Sequence, residues 1–259
     1  MKKVILLDMD GTITPARKSI EPSMITILDE IIKAGFYLGI VSGSNLEYMD
    51  EQLSPWNKWS KNCNRVLKYP VNGTQELDMA EEYTEFEWNW LIHDILSADK
   101  RMRLSVGGKY IRQPDEVIEY RRSAINWCPI GRDANAEQRE FFIHLDRKHN
   151  FRKNFLEQMK TRPLFHEKTV IKLGGQTSFD IYPSGWDKSY VFKDFQDFER
   201  VYFIGDKCEP MGNDYEGYVA AGDYGIQTDG PETTGRILSQ ILRESISYNK
   251  VSPKISTSP

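Results

Sequence analysis

The sequence predicts an α/β fold, a parallel-sheet core interrupted by an inserted α+β cap domain. Three observations carry this. The apolar runs Val4–Leu7, Phe36–Val41 and Val201–Ile204 have the pattern of strands buried on both faces, as in a parallel sheet. Each run ends in small, hydroxyl or acidic residues: Asp8-Met9-Asp10-Gly11-Thr12, Ser42-Gly43-Ser44-Asn45 and Gly205-Asp206. These groups sit where open α/β sheets bind ligands, at the carboxyl edge. Residues 176–181 instead alternate, with Gln176, Ser178 and Asp180 on one face and Thr177, Phe179 and Ile181 on the other. That fits an antiparallel sheet with a wet side.

In chain order, the first strand runs into Asp8 and Asp10, followed by a polar, basic loop, Thr14-Pro15-Ala16-Arg17-Lys18. Met24, Ile27, Leu28, Ile31 and Ile32 form a helical stripe that Gly35 ends. After the second strand, Ser42-Gly43-Ser44-Asn45 suits phosphate contact or caps the helix starting near Leu46. Trp56, Trp59 and Cys63 are expected to pack locally, and Val71-Asn72-Gly73-Thr74 signals a turn. The acidic run Glu81–Glu85 marks a boundary before a helix over Trp88–Leu96. A basic strand, Val117–Arg122, leads to a helix carrying Arg139, Phe141, Phe142 and Leu145, with Asp133 or Asn135 as N-cap. A second helix covers Phe151–Lys160. Arg236–Ile246 is a closing amphipathic helix. The expected organisation is a core of residues 1–84 and 185–247, a cap of 85–184, and a Ser-, Pro- and Lys-rich disordered tail, 248–259.

The chain has 259 residues and a formal net charge of -4, so no global positive field recruits nucleic acid, and any anion must be held by local Arg and Lys. No apolar stretch is long enough to span a membrane. Cys63, Cys128 and Cys208 show no metal-ligand spacing and are expected to be reduced, in a cytoplasmic protein. The four histidines lie outside every motif, which speaks against a triad or zinc site. Asp8 and Asp10 at a strand end need a cation to offset their repulsion, and a divalent metal is the simplest. The order Asp-x-Asp-Gly-Thr after an apolar strand is far more specific than a solvated Asp- and Gly-rich turn.

Asp8-Met9-Asp10-Gly11-Thr12 resembles the first motif of the haloacid dehalogenase superfamily, mostly phosphatases and phosphomutases with a Rossmann-like core. The resemblance implies that Asp8 attacks phosphorus, that Asp10 is the acid/base, and that Mg²⁺ is the metal. Ser42, with Ser44 as the alternative, is similar to the second motif. Lys188 in Gly185-Trp186-Asp187-Lys188 is similar to the third, and Gly205-Asp206 with Gly212-Asn213-Asp214 to the fourth. The implied metal set is Asp8, Asp10, Asp206 and Asp214, with Asp10 contributing its carbonyl. Pro129-Ile130-Gly131-Arg132, Gly174–Asp180 and Gly205-Asp206-Lys207 resemble the eukaryotic-type phosphomannomutases. By that match Arg17, Arg121, Arg132, Arg139, Ser178 and Asp180 are substrate-binding. Guanidinium groups that grip phosphate bidentately agree with this.

The resemblance implies interconversion of mannose 6-phosphate and mannose 1-phosphate, feeding GDP-mannose synthesis. It also implies a hexose 1,6-bisphosphate activator and a homodimer paired through its caps. A sugar-phosphate phosphatase on the same scaffold is the alternative. Intact Asp8, Asp10, Lys188 and Asp206 argue against a non-catalytic binding protein. Three positions depart from the family pattern. Met211 replaces Gly in the fourth motif, Ala220 replaces an Asp for a second cation near Tyr218 and Asp223, and Ser42 stands where animal members usually have Gly.

Overall fold

The computed structural model describes residues 2–105, 117–210 and 212–251. In chain order the strands are β1 (Lys3–Leu7), β2 (Tyr37–Val41), β3 (Val66–Tyr69), β4 (Ile118–Tyr120), β5 (Ile125–Trp127), β6 (Thr169–Gly174), β7 (Ser178–Pro183), β8 (Arg200–Gly205) and β9 (Gly225–Gln227). The α-helices are α1 (Pro22–Lys33), α2 (Leu46–Trp59), α3 (Glu85–Ser105), α4 (Ala136–His149), α5 (Phe151–Lys160), α6 (Pro163–Glu167), α7 (Tyr215–Ala220) and α8 (Pro231–Val251). Two sheets result. The first has the order β3-β2-β1-β8-β9, and all its pairs are parallel. The second has the order β4-β5-β7-β6, and all its pairs are antiparallel.

The unbroken apolar run of β1 follows from its central place. Ile5 and Leu7 pack with α1, α2 and α8 residues such as Leu28, Met49, Trp56 and Leu238. Val4 and Leu6 face the other way, onto Val191, Phe195 and Phe203. A strand covered on both faces has no place for a polar side chain until it ends. It ends at Asp8, where the backbone N–H still bonds Ile204 O at 2.9 Å.

The helix signals act as their chemistry dictates. Pro22 opens α1, where its missing N–H costs nothing. Asn45 caps α2 by accepting from Tyr48 N. Asn135, rather than Asp133, caps α4, in a capping box with Gln138.

The antiparallel sheet has its own core. Trp127 and Phe179 stack at 4.5 Å between centroids, and Leu91, Ile95, Phe142 and Leu156 surround them. Met79 and Tyr83 already belong to this cluster, N-terminal to the boundary expected at residue 84.

Three expectations are amended. The helix expected over residues 88–96 runs Glu85–Ser105. Trp56 is buried and donates to Asp29, but Trp59 is exposed, so the two do not pack alike. The closing helix continues to Val251, into the segment expected to be disordered. The rest of that tail, and the Met211 departure, lie outside the described residues.

Candidate active site

Parallel pairing of β1 and β8 sets Leu7 beside Ile204, so Asp8 and Asp206 leave neighbouring strands at the same edge. Asp214 joins them from the N-terminus of α7. Oxygens of these three carboxylates lie within 4.8 Å of one another. Backbone geometry makes room for them. Gly11 has φ 87°, and a Cβ there would stand 2.5 Å from Asp206 Oδ2. A Cβ on Gly205 would stand 2.7 Å from Asp214 Oδ2.

Lys188 is buried among these acids. Its ammonium donates to Asp8 Oδ1 and to Asp214 Oδ1, the latter at 2.5 Å. Thr12 Oγ1 donates to Asp8 Oδ2 at 3.2 Å, and Lys207 N to Asp214 Oδ2 at 2.9 Å. Two of the carboxylates share one buried ammonium, Asp206 meets the part-exposed Lys207 at 3.8 Å, and the titration follows. Burial pushes Asp8 up to about 7, with Asp214 and Asp206 adding and Lys188 opposing. Asp206 rises to about 6, chiefly through burial. Burial also works against ionised Asp214, but Lys188's charge and hydrogen bond outweigh it and hold that carboxyl low. Burial alone would lower Lys188, and Asp214 with Asp8 more than reverse it. The site is short of positive charge. Asp206 Oδ1 is buried without a hydrogen-bond partner. An oxygen-only donor set with an orphaned carboxylate oxygen fits a hard divalent cation.

Asp10 stands apart from this cluster. Its Oδ1 accepts from Arg17 N at 2.7 Å and from Gln52 Nε2 at 3.1 Å. Arg17 adopts φ 61°, the left-handed region, as it does so. Ser42 is buried at the end of β2, and its Oγ accepts from Ser44 N.

The antiparallel sheet faces this edge with cations. Arg121 Nη1 donates to Gly43 O at 3.2 Å, across the cleft. Arg132 Nη1 donates to Asn126 Oδ1 at 2.7 Å. Arg139 donates to Ala134 O, Thr177 Oγ1 and Arg132 O. Burial first, then the charges of Arg17 and Arg132, depress Arg139, so these cations converge. Asp180 Oδ1 accepts from Asn126 Nδ2 at 2.6 Å. Ser178 is buried, with Oγ donating to Gly174 O inside its own hairpin. A cleft open to solvent lies between, lined by Gly43, Asn72, Arg121, Lys172, Asp180 and Asn213.

Four residues of this region were not singled out from the sequence. Glu119 pairs with Arg121 and Arg132. Asn126 joins Arg132 to Asp180. Lys172 meets Glu216 across the cleft at 2.7 Å. Arg152 donates to Gly174 O, Gly175 O and Ser178 O and so holds the hairpin. Glu119 was findable, since Arg121 lies two residues on. The other three depend on sheet register and tertiary approach. Among the described residues, no second carboxylate cluster forms beside Tyr218 and Asp223.

A parallel core with carboxylates at adjacent strand ends, and an antiparallel cap inserted over them, is a haloacid-dehalogenase-like fold. The C-terminal domain of the C. albicans trehalose-6-phosphate phosphatase shares it, with a TM-score of 0.54 and 14% identity, covering 94% of this chain and 93% of that one. The profile of the eukaryotic phosphomannomutase family matches residues 24–244, and the chain belongs to that family. It is 32% identical over 253 residues to a phosphomannomutase of Drosophila melanogaster, covering 92% of this chain and 95% of that protein. It is also 32% identical over 254 residues to one of Saccharomyces cerevisiae, covering 92% and 94%.

Proposed function

We propose that this protein interconverts mannose 6-phosphate and mannose 1-phosphate through a phosphoryl group carried on Asp8, and so feeds GDP-mannose synthesis. The observation that carries this reading is a pair of facing sites of opposite charge. One is the Asp8, Lys188, Asp206 and Asp214 cluster; the other is the set Arg17, Arg121, Arg132 and Arg139. A hydrolase needs only the first. A mutase must hold a second phosphate while the first is transferred.

The steps use this chain's own groups. The 1-hydroxyl of mannose 6-phosphate attacks phosphorus on phospho-Asp8, Asp10 takes the hydroxyl proton, and the Asp8 carboxylate leaves. The bisphosphate turns round and presents its 6-phosphate. Asp8 attacks that phosphorus, the P–O6 bond breaks, and Asp10 returns the proton to O6. Asp10 suits this role because its carboxylate is held off the cluster by Arg17 N and Gln52. Lys188 steadies the Asp8 oxygens throughout. Mg²⁺ would be held by Asp8, Asp206, Asp214 and the carbonyl of Asp10, and would neutralise charge on the transferring phosphoryl oxygens. Ser42 and the loop after it would contact the transferring phosphate.

Ser178 and Asp180 would orient the sugar, and a hexose 1,6-bisphosphate would prime Asp8. Residues 1–84 and 185–247 would carry the chemistry, and the cap, 85–184, the remote grip. The exposed rings of Phe86 and Trp90 on α3 give the cap an uncovered surface for pairing as a homodimer. Free Cys63, Cys128 and Cys208 suit the cytoplasm.

The test is turnover of mannose 1-phosphate with and without hexose 1,6-bisphosphate, with free phosphate measured alongside. Isomerisation should require the bisphosphate and release little phosphate. Stoichiometric phosphate release without isomerisation would assign a phosphatase instead.

A further inference from the structure

The remote phosphate site contains an anion of the protein's own. Glu119 Oε2 accepts from Arg121 Nη2 at 2.7 Å and forms an ion pair with Arg132 Nη2 at 3.0 Å. Arg121 directly follows β4, two residues after Glu119, and its guanidinium reaches back to that carboxylate. Register places Asn126 opposite Glu119, where its Oδ1 takes Arg132 Nη1. One carboxylate oxygen therefore bridges two guanidiniums that the proposed mutase reaction assigns to phosphate. Burial works against ionised Glu119, but the hydrogen bond and charge of Arg121 and the charge of Arg132 hold its carboxyl below the usual range. It is anionic at neutral pH.

A phosphate entering this site needs the same N–H groups and meets a charge of its own sign. Two guanidiniums with no carboxylate between them would bind a dianion more tightly. Tight binding is a liability for a mutase, whose doubly phosphorylated intermediate must leave the cap and re-enter reversed.

We propose that Glu119 is an internal counter-anion that competes with the remote phosphate for Arg121 and Arg132, keeping that grip weak enough for the intermediate to turn round. This makes Glu119 a positioning residue, acting through the two arginines, and it rests on the mutase reading above.

The test is calorimetric binding of mannose 6-phosphate in EDTA, where no turnover occurs, to the full-length protein and three variants. Glu119→Gln keeps the shape and removes the charge; Glu119→Ala removes both. Each should tighten binding about five- to tenfold, the size expected for deleting a like charge a few ångströms away in a half-exposed site. In steady state with Mg²⁺, both should lower KM and kcat together. A loosened or misfolded cap could not tighten binding.

Arg132→Ala is the control for the underlying reading and should weaken binding. If Arg132→Ala weakens binding but the Glu119 variants leave it unchanged or weaker, Glu119 organises the arginines and the competitor role is overturned. If Arg132→Ala has no effect, the cap is not the remote phosphate site and the mutase reading itself fails.

Discussion

The two halves of the cleft solve the same problem with opposite charge. On the core side, Asp8 and Asp214 share one buried ammonium while Asp206 meets only Lys207 at 3.8 Å, and Asp8 and Lys188 are sealed from solvent. On the cap side, Arg132 and Glu119 are each roughly a third or more exposed. The core half has an excess of anions and cannot attract phosphate unaided. The cap half has an excess of cations and can. On the proposed mutase reading, chemistry would sit where geometry is rigid and dry, and binding where charge is screened and reversible.

That contrast breaks most sharply at Asp8. Asp8→Asn should cut turnover about a thousandfold or more, as loss of a nucleophile does, while circular dichroism stays that of the wild type. Near-wild-type activity would move the chemistry elsewhere.

Lys188→Met should come next. Removing the ammonium leaves Asp8 and Asp214 facing each other buried, which costs about 3–5 kcal/mol when a buried pair loses one member. Urea unfolding in EDTA would measure it, and a loss under 1 kcal/mol would mean that water reaches the cluster.

Metal removal sharpens the comparison further. EDTA should abolish turnover, and Mg²⁺ should raise the melting temperature of the stripped protein by several degrees through binding to the native state. Asp206→Asn should blunt that rise. Full activity in excess EDTA would refute a metal role for the cluster.

On the cap side effects should be smaller and graded by burial. The side chain of Arg121 is 15% exposed and that of Arg132 is 44%. Arg121→Ala should therefore raise KM about tenfold to a hundredfold, and Arg132→Ala only a few-fold. Equal effects would mean that burial does not set the strength of this grip.

The smallest effect concerns the bridge between the halves. Lys172→Met and Glu216→Gln should show a coupling of about 1 kcal/mol in a double-mutant cycle on KM, shrinking as salt is raised.

The core was more legible in the sequence than the cap. Asp8 and Asp206 could be placed because each follows an apolar run that announces where its strand ends, while Lys188 and Asp214 were placed by the resemblance of their motifs to those of the superfamily. The cap depends on partners far apart in the chain. Asn126 meets Asp180, and Lys172 meets Glu216, only through sheet register and the approach of two layers. Asp10 shows the limit within a strong motif. Two residues from Asp8, its side chain turns away from the cluster, because Arg17 N in the loop after β1 and Gln52 on α2 hold it. Spacing along a chain does not report such a turn.

The central strand carries a consequence for how the chain comes to fold. β1 pairs with β8, which follows it roughly 200 residues later in the chain, a separation that raises contact order and slows folding. Until β8 emerges, one edge of β1 lacks its native partner, while the antiparallel sheet already has its strands and its own apolar cluster. On the ribosome, the inserted layer can consolidate first and the β1–β8 edge last. Sequence changes that slow cap folding would then prolong exposure of an apolar, unpaired strand, and their damage would appear as aggregation rather than as lost catalysis.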